Sequence, residues 1–102
     1  DLQIVGLLAV EMFLTKSGQI LVNELAPRPH NSGHQTIEGN LTSQFAQHLR
    51  AIFNLPLGST AARTTAVMIN LLGEPKYEGL AKYDGVEDVL AVEGVFVHLY
   101  GK

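Results

Sequence analysis

Two glutamates interrupt apolar runs near the start of this chain, and their spacing is the strongest constraint on its fold. Residues 4–15 and 20–25 are rich in apolar, strand-forming side chains, and a short turn-forming segment separates them. If a hairpin turns about residues 17–18, residues whose numbers add up to 35 face one another across its strands. That geometry places Glu11 opposite Glu24 on one face of the sheet. The first run is apolar on both faces and predicts a strand buried on both sides.

Opposed carboxylates repel each other, and each costs several kcal/mol to bury without a partner. A divalent cation such as Mg²⁺ relieves this repulsion because it prefers oxygen ligands and commonly takes one or two carboxylates, with phosphate oxygens and water in its other positions. The alternative is that one of Glu11 and Glu24 pairs with a basic side chain from elsewhere while the other points to solvent. The spacing alone leaves both interpretations open.

A polar loop follows the second run directly and brings cationic and hydrogen-bonding groups to the same end of the sheet. Arg28 offers a planar guanidinium to phosphate or carboxylate oxygens, or alternatively forms an ion pair with Glu24. His30 and Asn31 can donate hydrogen bonds to a substrate, and Gly33 allows close approach to the backbone. We therefore expect a binding loop beside the two glutamates.

The rest of the chain predicts a mixed α+β fold. Apolar residues at helical spacing predict a helix that begins at Thr42 or Ser43, ends near Asn54 and packs one apolar stripe inward. Further along, the pattern predicts strands over residues 64–72 and 95–100 and a short helix over residues 87–92.

Composition excludes several classes of protein. A net charge of −3 over 102 residues argues against a nucleic-acid binder, which would carry clustered Lys and Arg. No apolar run is long enough to span a membrane, no signal peptide is evident, and the absence of cysteine fits a cytoplasmic location. Only 17% of residues are charged, against about 25% in ordinary domains, so we expect part of the surface to lie against other protein.

Several segments carry a resemblance to a known family. They resemble the phosphoribosylaminoimidazole carboxylase ATPase subunits, which are 5-(carboxyamino)imidazole ribonucleotide synthases of the ATP-grasp superfamily. The segments are residues 10–13, 23–34, 42–45, 48–50, 70–73 and 98–102. The resemblance implies the C-terminal part of an ATP-grasp domain in residues 1–58, made of an antiparallel hairpin plus a helix. A small β-rich C-terminal domain, truncated at its end, is implied for residues 59–102.

The resemblance also implies an activity. In that family, ATP is cleaved to ADP and phosphate while bicarbonate is joined to aminoimidazole ribonucleotide through carboxyphosphate, in purine biosynthesis. The implied cofactors are ATP and Mg²⁺, with Mn²⁺ as a substitute, and the implied full-length protein is a homodimer. Because the family's chains are several times longer, we expect this chain to be a fragment without ATPase activity of its own.

Site residues carry over by position. The resemblance makes Glu11 and Glu24 the metal ligands, Asn23 and Glu24 nucleotide contacts, and Arg28 the catalytic residue that stabilises charge on the transferred group. It assigns the pocket for the acyl phosphate and the ribonucleotide to His30, Asn31, Ser32 and Gly33. Many ATP-grasp enzymes carry an asparagine ligand two residues after the second glutamate, but Ala26 stands there and offers no ligand atom.

Three other interpretations remain. Formate-dependent glycinamide ribonucleotide transformylase has a similar loop, but it typically continues with Asp-Thr-Gly where this chain has Asn31-Ser32-Gly33, which favours the carboxylating enzyme. A non-catalytic module that binds metal or phosphate is the second alternative. The third is a structural interaction domain in which bases from a partner neutralise Glu11 and Glu24.

Overall fold

The computed structural model describes residues 2–73 and 75–99, and the chain divides into two units, Asp1–Ile69 and Asn70–Lys102. The first unit contains, in order, strands β1 (Ala9–Leu14) and β2 (Ile20–Ala26), a 3-10 helix (Asn31–Gly33), and helices α1 (Thr36–Gly39) and α2 (Gln44–Ile52). The second contains helix α3 (Val86–Leu90). This mixture of strands and helices confirms the α+β class. Among the described residues, no helix has the length and apolar character needed to cross a membrane.

The hairpin confirms that the two glutamates face each other, although the path of the chain is less regular than predicted. Strands β1 and β2 pair antiparallel, and Glu11 lies opposite Glu24. Next to the turn, Leu14 pairs with Ile20, a register shifted by one residue from the predicted one. A β-bulge at Asn23 inserts one extra residue in β2 and restores the predicted pairing at the glutamates.

The turn itself is closed by local hydrogen bonds. The backbone N–H of Thr15 donates to the carbonyl of Gln19, and that of Gly18 donates to the carbonyl of Thr15. Gly18 has a φ of +81°, a conformation that glycine adopts without steric cost. The Lys16–Gln19 segment therefore turns as its composition predicts.

Helix α2 begins where its capping residue predicts. The Ser43 side chain accepts a hydrogen bond from the backbone N–H of Ala46, and the helix ends at Ile52, two residues before Asn54. The predicted inward packing of its apolar stripe is wrong, because Phe45 is 37% exposed and Phe53 is 67% exposed. The His34 ring lies against Phe45 with a centroid distance of 5.3 Å, but most of the apolar stripe stays exposed.

Three other expectations are corrected. The first apolar run is not buried on both faces, since only Ala9–Leu14 of it forms a strand and that strand is mostly exposed. Residues 64–72 and 95–99 are not strands, and Tyr100 lies outside the described residues. Extended segments need a neighbouring strand for ladder hydrogen bonds, and the described part of the chain supplies none to them. Helix α3, Val86–Leu90, confirms the predicted short helix.

The described residues bury very little apolar surface. Ala26, at 5% exposure, is the one hydrophobic residue among them that counts as buried. The chain exposes 8998 Å², whereas surface scaling gives about 5,700 Å² for a folded monomer of this mass. The exposed apolar side chains of β1 and β2 therefore have the character of surfaces that lie against other protein.

We predict that the 102-residue chain, taken alone, melts without a cooperative transition, because one buried apolar side chain cannot offset the conformational entropy of ordering the chain. A temperature scan followed by circular dichroism would give a gradual, nearly linear change. A sigmoidal transition with an enthalpy of about 60–80 kcal/mol, as in ordinary domains of about 100 residues, would contradict the prediction.

Candidate metal centre and the comparisons with known proteins

Three side chains meet at the bulged end of the hairpin. Glu11 comes from β1, Glu24 from β2 and His30 from the loop that follows β2, and one ligand atom of each lies within 4.8 Å of the others. His30 Nε2 is 3.5 Å from Glu24 Oε1 and 4.0 Å from Glu11 Oε2. The imidazole thus faces both carboxylates at once. The glutamates are about half exposed, whereas the His30 side chain is only 15% exposed.

The bulge supplies a further polar group to this cluster. Asn23 Nδ2 donates a hydrogen bond of 2.6 Å to Glu11 Oε1. In a regular ladder neighbouring residues of a strand point to opposite faces, but the bulge lets Asn23 act on the same side as Glu24. Asn23 and His30 together offset part of the repulsion that two opposed carboxylates create.

Ser32 fixes the orientation of the His30 ring. His30 Nδ1 lies 2.8 Å from Ser32 Oγ and accepts a hydrogen bond of 3.4 Å from the Ser32 backbone N–H. Because Nδ1 is occupied by these contacts, the ring presents Nε2 to the carboxylates. The side chain of His30 also caps the 3-10 helix Asn31–Gly33.

The Arg28 side chain is left available for a ligand. Its Nη1 donates to the carbonyl oxygen of Pro29 at 3.2 Å, and among the described residues it forms no ion pair with Glu24. The predicted alternative of an Arg28–Glu24 pair is therefore wrong. Arg28 lines an open cavity of about 140 Å³ together with His30 and Gly33. This volume is below the roughly 300–1,000 Å³ of drug-sized pockets, and Leu7, Leu8 and Ala9 form the apolar part of the lining.

The donor set fits a hard divalent cation. Two carboxylates supply oxygen atoms, which Mg²⁺ and Mn²⁺ prefer. Because His30 Nδ1 accepts from the Ser32 N–H, a neutral His30 ring carries its proton on Nε2 and donates to the carboxylates. Zinc sites are instead typically four-coordinate with Cys or several His ligands, and the chain has no cysteine. Ala26 offers no side-chain ligand atom, so Glu11 and Glu24 are the carboxylates that the hairpin brings to the cluster.

The sequence correctly predicted that the two glutamates of this cluster lie together. The opposition of Glu11 and Glu24 is confirmed, and their role as metal ligands stays a prediction. Sequence reasoning placed His30 in the substrate loop and missed its position against the carboxylates. It also gave no role to Gln44, whose side chain holds the main chain of His30. The one signal for Gln44 in the sequence was its position directly after Ser43, the capping residue of α2.

Comparison with known proteins identifies the family. Residues 1–45 match the model of the ATP-grasp domain, and residues 66–102 match that of the phosphoribosylaminoimidazole carboxylase C-terminal domain. The phosphoribosylaminoimidazole carboxylase of Vigna aconitifolia, named as chloroplastic, is 49% identical over all of this chain and 19% of its own length. This chain belongs to the N5-carboxyaminoimidazole ribonucleotide synthase family. It spans about a fifth to a quarter of the length of the curated relatives it matches.

Solved structures of N5-carboxyaminoimidazole ribonucleotide synthases share the fold. The enzyme of Thermotoga maritima superposes with a TM-score of 0.82 at 61% identity, covering 96% of this chain and 27% of that one. The Aspergillus clavatus enzyme, solved in complex with ADP and 5-aminoimidazole ribonucleotide, superposes with a TM-score of 0.55 at 52% identity. That match covers 57% of this chain and 16% of the Aspergillus chain.

We predict that Glu24→Gln in the full-length protein containing this segment weakens Mn²⁺ binding at least about tenfold, since the amide removes one of two charged ligands. Electron paramagnetic resonance of free Mn²⁺ during a titration would measure the affinity. Glu87→Gln is the matched control, because it removes the same charge from helix α3 and should leave the affinity within twofold. Equal affinities for Glu24→Gln and the unaltered protein would refute the metal assignment.

Proposed function

We propose that this chain supplies the metal-binding hairpin and the substrate loop of an ATP-dependent ligase. The reaction joins bicarbonate to the amino group of 5-aminoimidazole ribonucleotide and cleaves ATP to ADP and phosphate, through carboxyphosphate. The observation that carries the proposal is the cluster of Glu11, Glu24 and His30 in a chain of this family. The ligands of the Aspergillus clavatus relative, ADP and 5-aminoimidazole ribonucleotide, support the choice of substrates.

The glutamates bind the cation in this proposal. Glu11 and Glu24 hold Mg²⁺, or Mn²⁺ in its place, which when bound neutralises charge on the ATP phosphates. Asn23 orients the Glu11 carboxylate through its 2.6 Å hydrogen bond. In the proposal, Asn23 and Glu24 also contact the nucleotide. A carboxylate fixed by such a contact loses less rotational freedom when it binds the metal.

Arg28 is the catalytic residue of the proposal. Among the residues that the structure describes, its guanidinium has one hydrogen bond, to the Pro29 carbonyl, and its other N–H groups can donate to oxygens of a phosphoryl or acyl-phosphate group. Charge grows on these oxygens as the γ-phosphoryl group moves to bicarbonate. A cation held beside them lowers the barrier without itself reacting.

The loop after Arg28 holds the two other reactants. Gly33 lines the small cavity together with Arg28 and His30. In the proposal, this cavity takes bicarbonate or the carboxyphosphate derived from it. Asn31 and Ser32 are exposed on the 3-10 helix. The Asn31 amide can donate to the ribonucleotide, and the Ser32 oxygen, held at His30 Nδ1, can accept from it. These four loop residues, His30 to Gly33, thereby bring the acyl phosphate and the amine together.

The remaining features belong to the whole protein. We place it in the cytoplasm as a homodimer, in keeping with the absence of cysteine and the exposed apolar surface. The chain alone spans about a quarter of its relatives' length, and we expect it to lack ATPase activity. Production of ADP by the 102-residue chain in response to 5-aminoimidazole ribonucleotide would contradict this expectation.

The experiment that tests the proposed function measures ADP release by the full-length protein. We expect release to require 5-aminoimidazole ribonucleotide and bicarbonate together. Release that instead requires glycinamide ribonucleotide and formate would point to the transformylase-like alternative. Absence of ADP release in both mixtures, with Mn²⁺ still bound, would leave the non-catalytic module as the better account.

We predict that Arg28→Lys lowers kcat about 100-fold or more, because lysine cannot present the planar, multiply donating guanidinium to the developing charge. Arg50→Lys is the matched control: Arg50 in α2 also donates through Nη1 to a proline carbonyl, that of Pro56. Its kcat should stay within about threefold. Comparable losses in the two variants would show that the guanidinium of Arg28 has no special part in the reaction.

A further inference from the structure

The side-chain amide of Gln44 pairs with the main chain of His30 in both directions. The His30 N–H donates to Gln44 Oε1 at 2.9 Å, and Gln44 Nε2 donates to the His30 carbonyl oxygen at 2.7 Å. This arrangement fixes the amide orientation, since the opposite orientation would place two donors and two acceptors face to face. The second hydrogen of Nε2 reaches His34 Nδ1 at 2.7 Å.

Gln44 is held in turn at the first turn of α2. Its backbone N–H donates to Thr36 Oγ1 at 2.9 Å, and the Thr36 hydroxyl donates to the carbonyl oxygen of Gly33. The contacts of Gln44 thus reach the main chain at both His30 and Gly33, the two ends of the substrate loop. These groups are partly buried, where hydrogen bonds compete less with water.

A second glutamine of the same helix makes the same kind of pair away from the cluster. Gln47 Nε2 donates to the Gly58 carbonyl oxygen at 2.7 Å, and the Gly58 N–H donates to Gln47 Oε1 at 2.8 Å. Gln47 therefore matches Gln44 in chemistry, partial burial and helix. It differs in the segment that it holds.

Gly33 makes room for the Gln44 amide. A methyl group at residue 33 would lie 2.5 Å from Gln44 Oε1 and 2.7 Å from its Cδ. Because the Gln44 amide is the end of a flexible side chain, it would move away rather than the backbone, and the pair with His30 would be lost. The glycine is thus needed for Gln44 to reach His30.

We propose that Gln44 is the positioning residue of the substrate loop: it holds the His30 main chain so that the imidazole faces Glu11 and Glu24 and the cavity beside Arg28 keeps its shape. The kinetic consequence rests on the proposed function. The positioning itself does not, because it is a property of the hydrogen bonds of His30.

Amide hydrogen exchange in the full-length protein tests the positioning directly. Gln44→Met keeps the length of the side chain but removes both hydrogen bonds, so the His30 amide should exchange at least about tenfold faster. Gln47→Met should accelerate exchange at Gly58 and leave His30 unchanged. Gly33→Ala should accelerate His30 without any change in α2, and it keeps the test decisive if Gln44→Met folds poorly.

Kinetics test the consequence for the site. Gln44→Met should lower kcat/KM for 5-aminoimidazole ribonucleotide and bicarbonate at least about tenfold and leave KM for ATP within twofold. A general loss of structure would instead lower kcat, which the three substrates share, without changing the KM of any of them. Gln47→Met should keep three constants within about threefold: kcat/KM for 5-aminoimidazole ribonucleotide, kcat/KM for bicarbonate and KM for ATP.

Two results would overturn the proposal. Unchanged exchange at His30 in both Gln44→Met and Gly33→Ala would show that Gln44 does not hold the loop. Equal kinetic losses in Gln44→Met and Gln47→Met would show a structural effect without positioning. If the unaltered protein releases no ADP, the proposed function fails, and the exchange rates at His30 still decide whether Gln44 positions the loop.

Discussion

The opposition of two carboxylates across the hairpin is the constraint on which the site depends. Glu11 and Glu24 face each other because a bulge at Asn23 corrects a register that the turn shifts by one residue. Their mutual repulsion is offset from two directions, by the Asn23 amide and by the His30 imidazole. A bound cation would offset the rest of the repulsion between the two carboxylates. The hairpin therefore concentrates negative charge where a positive ligand can bind.

The loop is organised around that charge. The His30 ring faces the glutamates while Ser32 contacts its other nitrogen and Gln44 forms two hydrogen bonds with its main chain. Helix α2 is connected to the loop through its first residue, Gln44. The described part of the chain buries almost no apolar surface, and the loop forms several hydrogen bonds with Ser32 and Gln44.

Features set by local pattern were predictable from the sequence, and features set by distant partners were not. The hairpin, the Glu11–Glu24 pair and helix α2 follow from alternation, turn residues and the Ser43 cap. The bulge at Asn23 leaves no comparable signal, because it depends on how the turn closes. The apolar residues 64–72 carry a strand pattern but find no partner strand among the described residues. The His30 main chain contacts a side chain 14 positions later, Gln44, and no local pattern in the sequence indicates that contact.

The most direct test of the account is anomalous diffraction from crystals of the full-length protein grown with Mn²⁺ and ADP. We predict an Mn²⁺ peak between Glu11 and Glu24, with an oxygen of each carboxylate at about 2.1 Å and nucleotide phosphate oxygens beside it. The metal assignment would be contradicted by lysine or arginine side chains paired with the two glutamates while the metal and the nucleotide bind elsewhere.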